Sequence, residues 1–209
     1  MSKEAIEHIT DKDERLRLLV NYIGVIEERK YDDLFQFIVC EIVGQMLSNQ
    51  VRHTLVDRLF AICHNSVTPK TILGIGIDGL KGIGLSQAKC RYILGFAGSV
   101  YCGNIDLDNL NSLDDEEVMK VLTSQIGIGN WTAKMVLLFA LGRSNIVPYE
   151  DVAFQQGYRW LYSTDQVDKC SVLERAKKWA PYSSIAARYI YECVNRGLIK
   201  QSTDILCNK

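Results

Sequence analysis

The main chemical feature of this sequence is a pair of glycines, Gly127 and Gly129, that flank Ile128 between two segments with helical spacing. Glycines at both positions let the backbone turn tightly and bring its N–H groups to the surface beside the N-terminus of the following helix. The helix dipole also favours an anion there, so the segment could bind a phosphate without a charged side chain. A plain helix–helix turn would use the same residues. A dinucleotide-binding turn is excluded because no strand-like run precedes the glycines.

Helical periodicity predicts the elements that hold this turn. Apolar residues recur at helical spacing almost throughout the 209 residues, and alternating strand-like runs are nearly absent, so we expect an all-α protein. Thr10 and Asp13 predict a capped helix start, and Pro69 predicts the entry to a glycine-punctuated segment of short helical pieces. Further helices are expected at about 32–47, 51–63, 86–97, 114–124, 130–141, 151–160, 168–178 and 183–195. The segment 135–141 is apolar on every side and is expected at the centre of the fold.

Composition places the chain among folded globular proteins. It is 47% hydrophobic and 23% charged with only 3 prolines, which excludes disordered and collagen-like classes. The 7 cysteines contain no C-x-x-C pair, so we expect mostly buried, reduced thiols in a cytoplasmic protein, and neither a zinc nor an iron–sulfur cluster. The longest apolar run, 135–141, is too short to span a bilayer, so no membrane partner is expected.

The overall charge gives no indication of a nucleic-acid partner. The net charge is -1 and the isoelectric point is about 6.3, whereas nucleic-acid-binding domains are usually basic. Residues 125–200 contain 10 Lys or Arg against 6 Asp or Glu, so the segment with the glycine pair is the positive part of the chain. Segregation this mild is also common in proteins that do not bind DNA.

Five motifs carry a resemblance to a known family. Gly127 begins the run G-I-G-N-W-T-A, and Pro148 begins the run P-Y-E-D about twenty residues later. The others are I-V-G-Q-M-L-S at 42–48, G-L-S-Q-A-K at 84–89 and W-A-P-Y-S-S-I-A at 179–186. In this order they resemble the helix-hairpin-helix DNA glycosylase superfamily, in the branch of the 3-methyladenine DNA glycosylase II enzymes. Glu150 stands where that family carries a second aspartate, and Ser183 replaces its usual arginine.

The resemblance implies a monofunctional DNA glycosylase of base excision repair. Such an enzyme flips alkylated purines, 3-methyladenine foremost, out of double-stranded DNA and removes them by hydrolysis to leave an abasic site. Asp151 matches the catalytic aspartate, which would stabilise positive charge on the deoxyribose and orient or deprotonate the attacking water. Its position would also suit a helix N-cap. Bifunctional members carry a lysine at the position of Trp131, so no AP-lyase activity is expected here.

The same resemblance assigns the remaining site residues. The base pocket would be bordered by Trp131, Tyr191 and Met135, with the two rings stacking on a positively charged base. DNA contacts would come from Gly127, Ile128, Gly129, Thr132 and Ser86. One of Met46, Leu47 and Gln50 would fill the gap that the flipped base leaves. The carbonyl groups of Thr123, Gln125 and Ile128 would hold a monovalent cation, and no cofactor is expected.

The resemblance also predicts the organisation of the chain. We expect a central helical subdomain over 35–140 that ends in the helix-hairpin-helix, and a second one, formed by 1–34 and 141–209, that carries Asp151, with the DNA-binding cleft between them. We expect the protein to be a monomer. If the source is prokaryotic, we expect the protein to associate with the nucleoid. Two alternatives stay open: a glycosylase for another damaged or mismatched base, and a catalytically inactive helix-hairpin-helix DNA-binding protein.

Overall fold

The computed structural model describes residues 2–27, 31 and 33–207, and these residues form helices and connecting turns without a strand among them. The prediction of an all-α protein is confirmed in this part of the chain. The chain divides into two compact units. The central unit is Lys30–Leu141, and the terminal unit combines Met1–Arg29 with Gly142–Lys209.

The described residues of the central unit include six α-helices, and local sequence signals explain most of the helix starts. They are α3 (Leu34–Gly44), α4 (Asn49–Ile62), α5 (Pro69–Gly82), α6 (Gln87–Tyr101), α7 (Asp115–Thr123) and α8 (Asn130–Met135). Ser48 and Ser86 are the N-caps of α4 and α6, and Pro69 occupies the first turn of α5. Asp114 and Glu117 form a reciprocal capping box at the start of α7. The glycine-punctuated segment is one helix broken at Gly76, where φ is +68°.

Helix α3 is the most enclosed element of the central unit. Its apolar residues Ile38, Val39 and Ile42 are fully buried, and the helix packs against α4, α6 and α8. A short π-helical turn, Val136–Ala140, continues α8 and also contacts α3. These contacts fix the C-terminal end of α3 next to the starts of α6 and α8, where the candidate site lies.

In the part of the terminal unit that the structure describes there are five α-helices: α1 (Lys3–Lys12), α2 (Glu14–Ile23), α9 (Val152–Tyr162), α10 (Lys169–Ala176) and α11 (Ser183–Asn195). Helix α11 packs against α9, α2 and α1. Gly157 permits the close approach of α9 and α11, because an added Cβ would lie 2.6 Å from the carbonyl oxygen of Ile190. The buried carboxylate of Asp13 caps α2 and accepts hydrogen bonds from Tyr162 Oη (2.9 Å) and Trp179 Nε1 (3.1 Å).

Several sequence-based expectations need correction. Thr10 does not cap α2, because it lies in the last turn of α1 and its hydroxyl donates to the carbonyl of Ile6 at 2.9 Å. The helix expected over 32–47 ends at Gly44, and its expected start at Asp32 lies outside the described residues.

The segment 135–141 and the cysteines also differ from the expectation. Residues 136–138 of that segment are buried, but Phe139 and Ala140 are half-buried, so the segment is less enclosed than α3. Three of the seven free thiols are exposed, namely Cys102, Cys170 and Cys207. No helix in the described part of the chain is long and apolar enough to cross a membrane.

Candidate nucleic-acid interface and candidate catalytic turn

The hairpin between α7 and α8 needs its first glycine. Gly127 has φ +91°, and an added Cβ would lie 2.2 Å from Cγ of Tyr92, so only glycine fits. Gly129 has an ordinary φ of -94° and no atom within 4 Å of the position of a Cβ. It is the N-cap of α8 and has no side chain that could accept an N–H of the first turn. This end of the helix is suited to bind an anion.

Ile128 lies between the glycines and stabilises the hairpin. Its side chain is 3% exposed, and its N–H donates to the carbonyl of Gln125 at 3.0 Å. The amides left for a phosphate are therefore those of Gly127 and Gly129, for which the described residues show no acceptor. Of the predicted cation ligands, Gln125 and Ile128 lie in this turn, and Thr123 is the last residue of α7. The Gln125 carbonyl keeps a second lone pair beside its bond to Ile128, and carbonyl oxygens suit a monovalent cation.

The loop from α3 to α4 presents an apolar side chain to solvent. Met46 is 101% exposed and has φ +57°, the left-handed conformation that residues with a Cβ avoid. The neighbouring Leu47 is half-buried, and its N–H donates to the carbonyl of Gly44 at 3.2 Å. Gln50 is exposed but lies in the first turn of α4. Of the three wedge candidates, Met46 is thus the most exposed apolar side chain.

One side chain joins this loop to the hairpin. Gln45 Nε2 donates to the carbonyl of Gly127 at 2.9 Å and to Thr132 Oγ1 at 3.0 Å. Thr132 is buried, so its side chain positions the loop and is not open to solvent. Gln45 therefore ties the loop that carries the three wedge candidates to the hairpin.

Helix α6 begins beside the same loop. Ser86 is exposed and caps α6 by accepting the N–H of Lys89 at 3.4 Å. Lys89 Nζ donates to the carbonyl groups of Val43 and Gln45, at 2.8 and 2.7 Å. Burial lowers the pKa of this ammonium group. The sequence motif points to Ser86, but the lysine three residues later makes the contacts with the loop.

Helix α8 carries the predicted pocket residues of the central unit. Trp131 is half-buried in its first turn, and Met135 is buried at its end. No lysine occupies position 131, and Lys134 is half-buried on the same helix. Within the described residues, no group of three or more His, Cys, Asp or Glu side chains could hold a metal ion.

The candidate catalytic turn belongs to the terminal unit. The N–H of Asp151 donates to the carbonyl of Pro148 at 3.0 Å, which closes the turn. Asp151 is half-buried and caps α9, because its Oδ1 accepts the N–H of Phe154 at 2.8 Å. The cap fixes the direction of the carboxylate. Beside it, Val152 is 66% exposed, an apolar residue on the open side of the turn.

Glu150, in the same turn, and Tyr191, on α11, are the remaining residues that the resemblance singled out in the terminal unit. Burial raises the pKa of Tyr149, and a hydrogen bond with the carboxylate of Glu150 raises it further. This contact agrees with a role for Glu150 in orienting the turn. Tyr191 is half-buried on α11, and its ring lies 6.1 Å from that of Phe154 in an edge-on arrangement. Phe154 therefore links the aspartate cap to the predicted stacking residue within the terminal unit.

Sequence reasoning missed the residues that hold the loop. Gln45 and Lys89 stand out in the sequence only as parts of motifs, and their partners lie up to 87 positions away. Glu41 and Arg52 form a further ion pair that joins α3 to α4. In the sequence, the signal for this pair is the position of Glu41 within an otherwise apolar helix. A carboxylate buried there requires a charged partner.

Comparison with known proteins agrees with this geometry. Residues 39–181 match the family described as HhH-GPD superfamily base excision DNA repair protein. The chain is 26% identical over 192 residues to DNA-3-methyladenine glycosylase 1 of Schizosaccharomyces pombe, covering 88% of this chain and 84% of that protein.

Two solved structures have the same fold. DNA-3-methyladenine glycosidase from Bacillus halodurans superposes with a TM-score of 0.83 at 26% identity, over 100% of this chain and 97% of that chain. The Schizosaccharomyces pombe 3-methyladenine DNA glycosylase in complex with abasic DNA superposes with a TM-score of 0.85 at 25% identity, over 92% and 97%. The resemblance carried by the five motifs is thereby confirmed, and the chain belongs to the HhH-GPD superfamily of base excision DNA repair proteins.

Proposed function

We propose that the protein is a monofunctional DNA glycosylase that excises alkylated purines, 3-methyladenine foremost, from double-stranded DNA and leaves an abasic site. The observation that carries the proposal is the orientation of Asp151 by its helix cap, in a chain that matches a base excision repair family over residues 39–181. Relatives named as 3-methyladenine glycosylases support the substrate, and one of them is solved with abasic DNA, which is the product of this reaction.

Asp151 would act on the sugar. Cleavage of the N-glycosidic bond leaves positive charge on the deoxyribose, and a fixed carboxylate stabilises that charge without reorganising during the reaction. The same carboxylate can orient or deprotonate the water that attacks the sugar. Because the N–H of Phe154 holds Oδ1, the direction of the group is set before DNA binds.

The central unit would bind the DNA backbone and insert a side chain into the base stack. The amides of Gly127 and Gly129 suit a phosphate at the uncapped end of α8, with a monovalent cation on the hairpin carbonyls of Thr123, Gln125 and Ile128. Met46 is the wedge we propose, since it is the fully exposed apolar side chain of the loop that Gln45 joins to the hairpin.

The pocket residues would select the base. A methylated adenine carries positive charge, so stacking on the electron-rich rings of Trp131 and Tyr191 would favour it by about 0.5 to 2 kcal/mol for each ring. Met135 is buried at the end of α8 and would shape the pocket through packing. Because position 131 holds no amine, no Schiff base forms with the sugar, and we propose that the strand stays intact.

A panel of damaged duplexes tests the substrate. Wild-type protein is expected to release 3-methyladenine from methylated DNA, but not uracil or 8-oxoguanine from duplexes that contain them. Release of one of the other bases alone would favour a glycosylase for a different lesion. No release from any duplex, with retained binding to abasic DNA, would favour an inactive DNA-binding protein. Light scattering with and without DNA tests the expected monomer.

A matched pair of cap variants tests the catalytic residue. Asp151→Asn keeps an oxygen that can accept the N–H of Phe154, so the fold and abasic-DNA binding should persist while excision falls by about 100-fold or more. Asp168→Asn changes the equivalent N-cap of α10, which is exposed, and should leave excision unchanged. Excision by Asp151→Asn at the wild-type rate would refute the catalytic role. Borohydride trapping should give no covalent protein–DNA adduct.

A further inference from the structure

The backbone of the α3–α4 loop is held in an unfavourable conformation at one residue. Met46 has φ +57°, where the Cβ of an L-residue crowds the following carbonyl oxygen, and its apolar side chain is fully exposed. Glycine would remove the backbone cost at this position, and a polar side chain would remove the exposure. Neither feature helps the isolated protein, so other contacts must hold the residue in this state.

Lys89 supplies the first of these contacts from α6. Its ammonium group binds the carbonyls of Val43 and Gln45, at 2.8 and 2.7 Å, at the end of α3. The last turn of α3 contains no basic residue of its own, and Lys89 places a positive charge at the negative end of this helix. Arg52 lies against the same turn at Gly44 and pairs with Glu41. Burial lowers the pKa of Lys89, so the contact has displaced part of its hydration shell.

Gln45 supplies the second contact, to the hairpin and to α8. Its backbone carbonyl binds Lys89, while its side-chain amide donates to Gly127 and Thr132 at 2.9 and 3.0 Å. The residue directly before Met46 is thus held at its main chain and at its side chain. The path of the loop at Met46 then depends on α6 and on the hairpin together.

We propose that Lys89 and Gln45 are positioning residues that hold Met46 in the conformation in which it enters the duplex. The inference rests on the proposed function, because it assumes that Met46 is the wedge. Insertion then requires little rearrangement of the loop, since the left-handed turn exists before DNA binds. Through Gln45, a phosphate on the hairpin and a wedge in the base stack share one hydrogen-bonded support.

A double-mutant cycle tests whether Lys89 acts through Met46. The reporter is 2-aminopurine opposite an abasic-site analogue, since its fluorescence rises when a wedge disturbs its stacking. Lys89→Met should abolish most of the fluorescence rise, as Met46→Ala should. The double variant should be no worse than Met46→Ala alone. Lys70→Met, which removes an exposed lysine of α5, should behave as wild type.

The excision rate gives a second readout that a general loss of stability would not reproduce. Lys89→Met should slow single-turnover excision of a paired lesion by on the order of tenfold, about 1.4 kcal/mol. The loss should be only about twofold for the same lesion in an unpaired bulge, because such a base leaves the stack at lower cost. Gln45→Glu, which keeps the size of the side chain but loses its donor, should behave similarly and serves if Lys89→Met does not fold.

The outcomes separate the inference from the proposed function. Effects of Lys89→Met and Met46→Ala that multiply, or equal losses on paired and bulged lesions, would overturn the positioning role. A different result would overturn the proposed function alone. In that case the wild-type protein excises no base but still raises the 2-aminopurine fluorescence, and the double-mutant cycle of Lys89→Met and Met46→Ala gives the expected result.

Discussion

Replacement of Gly127 by alanine tests how the hairpin is built. The substitution places a Cβ on a residue with φ +91°, which costs roughly 1 to 2 kcal/mol. The new methyl group would lie 2.2 Å from Cγ and 2.5 Å from Cβ of Tyr92, so that side chain must move. Overpacking of this kind costs about 1 to 3 kcal/mol. The expected total is about 2 to 5 kcal/mol, a large part of the roughly 5 to 15 kcal/mol that stabilises a typical protein.

Thermal and urea unfolding measure this loss. A protein of this size loses about 2 to 4 °C in Tm for each kcal/mol, so Gly127→Ala should melt roughly 4 to 20 °C below wild type. Gly129→Ala is the matched control, because its φ is -94° and its methyl group would meet no atom within 4 Å. We expect its stability to stay within about 0.5 kcal/mol of wild type. Its binding to abasic DNA should nevertheless weaken, because the methyl group stands at the uncapped end of α8.

A second substitution separates the two costs. In a Tyr92→Ala background, Gly127→Ala should cost only the stability that the positive φ accounts for, because the clash with the Tyr92 ring is gone. The double-mutant cycle of the two substitutions should therefore show a coupling energy of about 1 to 3 kcal/mol. Gly127→Ala with wild-type stability would refute the structural explanation of the hairpin. A destabilised Gly129→Ala, or an absence of coupling to Tyr92, would show that the glycines act in another way.

Three further predictions concern the rest of the molecule. Asp13→Ala should cost about 3 to 6 kcal/mol in urea unfolding, because it removes a cap and leaves the buried donors of Tyr162 and Trp179 without an acceptor; a loss below about 1 kcal/mol would contradict this. Burial raises the pKa of Cys40 to about 11 and of Cys193 to about 12, from 9.0. The unfolded chain therefore releases these protons first, and stability should fall as the pH rises above about 9, less steeply in Cys193→Ala. A thiol reagent should label three cysteines quickly in the folded protein: Cys102, Cys170 and Cys207.

The sequence predicted the elements whose causes are local. The capping box of Asp114 and Glu117, the proline at the start of α5 and the cap at Ser86 each depend on residues within a few positions. Such contacts form inside a single helical turn, so the pattern of residue types is sufficient to locate them. Asp151 as a helix cap belongs to the same class.

The sequence could not predict contacts that depend on packing. Thr10 and Asp13 are both good N-cap residues, and the choice between them follows from Tyr162 and Trp179, which lie 149 and 166 positions further along the chain. The contacts of Lys89 could not be predicted either, because they depend on how α3 and α6 pack against each other. A motif can mark such a residue as a family feature, but only its contacts show what it does.

The near-neutral charge of the chain predicts how its DNA binding responds to salt. Because the net charge is -1 and the proposed contacts are the hairpin amides and Met46, we expect few Lys or Arg side chains to neutralise phosphates. The affinity falls with salt according to the number of neutralised phosphates, with a slope of about -0.9 for each in a log–log plot. We expect about two to four phosphates, and so a slope of roughly -2 to -4, for a duplex with an abasic-site analogue. Met46→Ala should weaken binding without changing the slope, since methionine releases no counterions. A slope of about -6 or steeper would show that cations, and not backbone amides and an apolar wedge, dominate the interface.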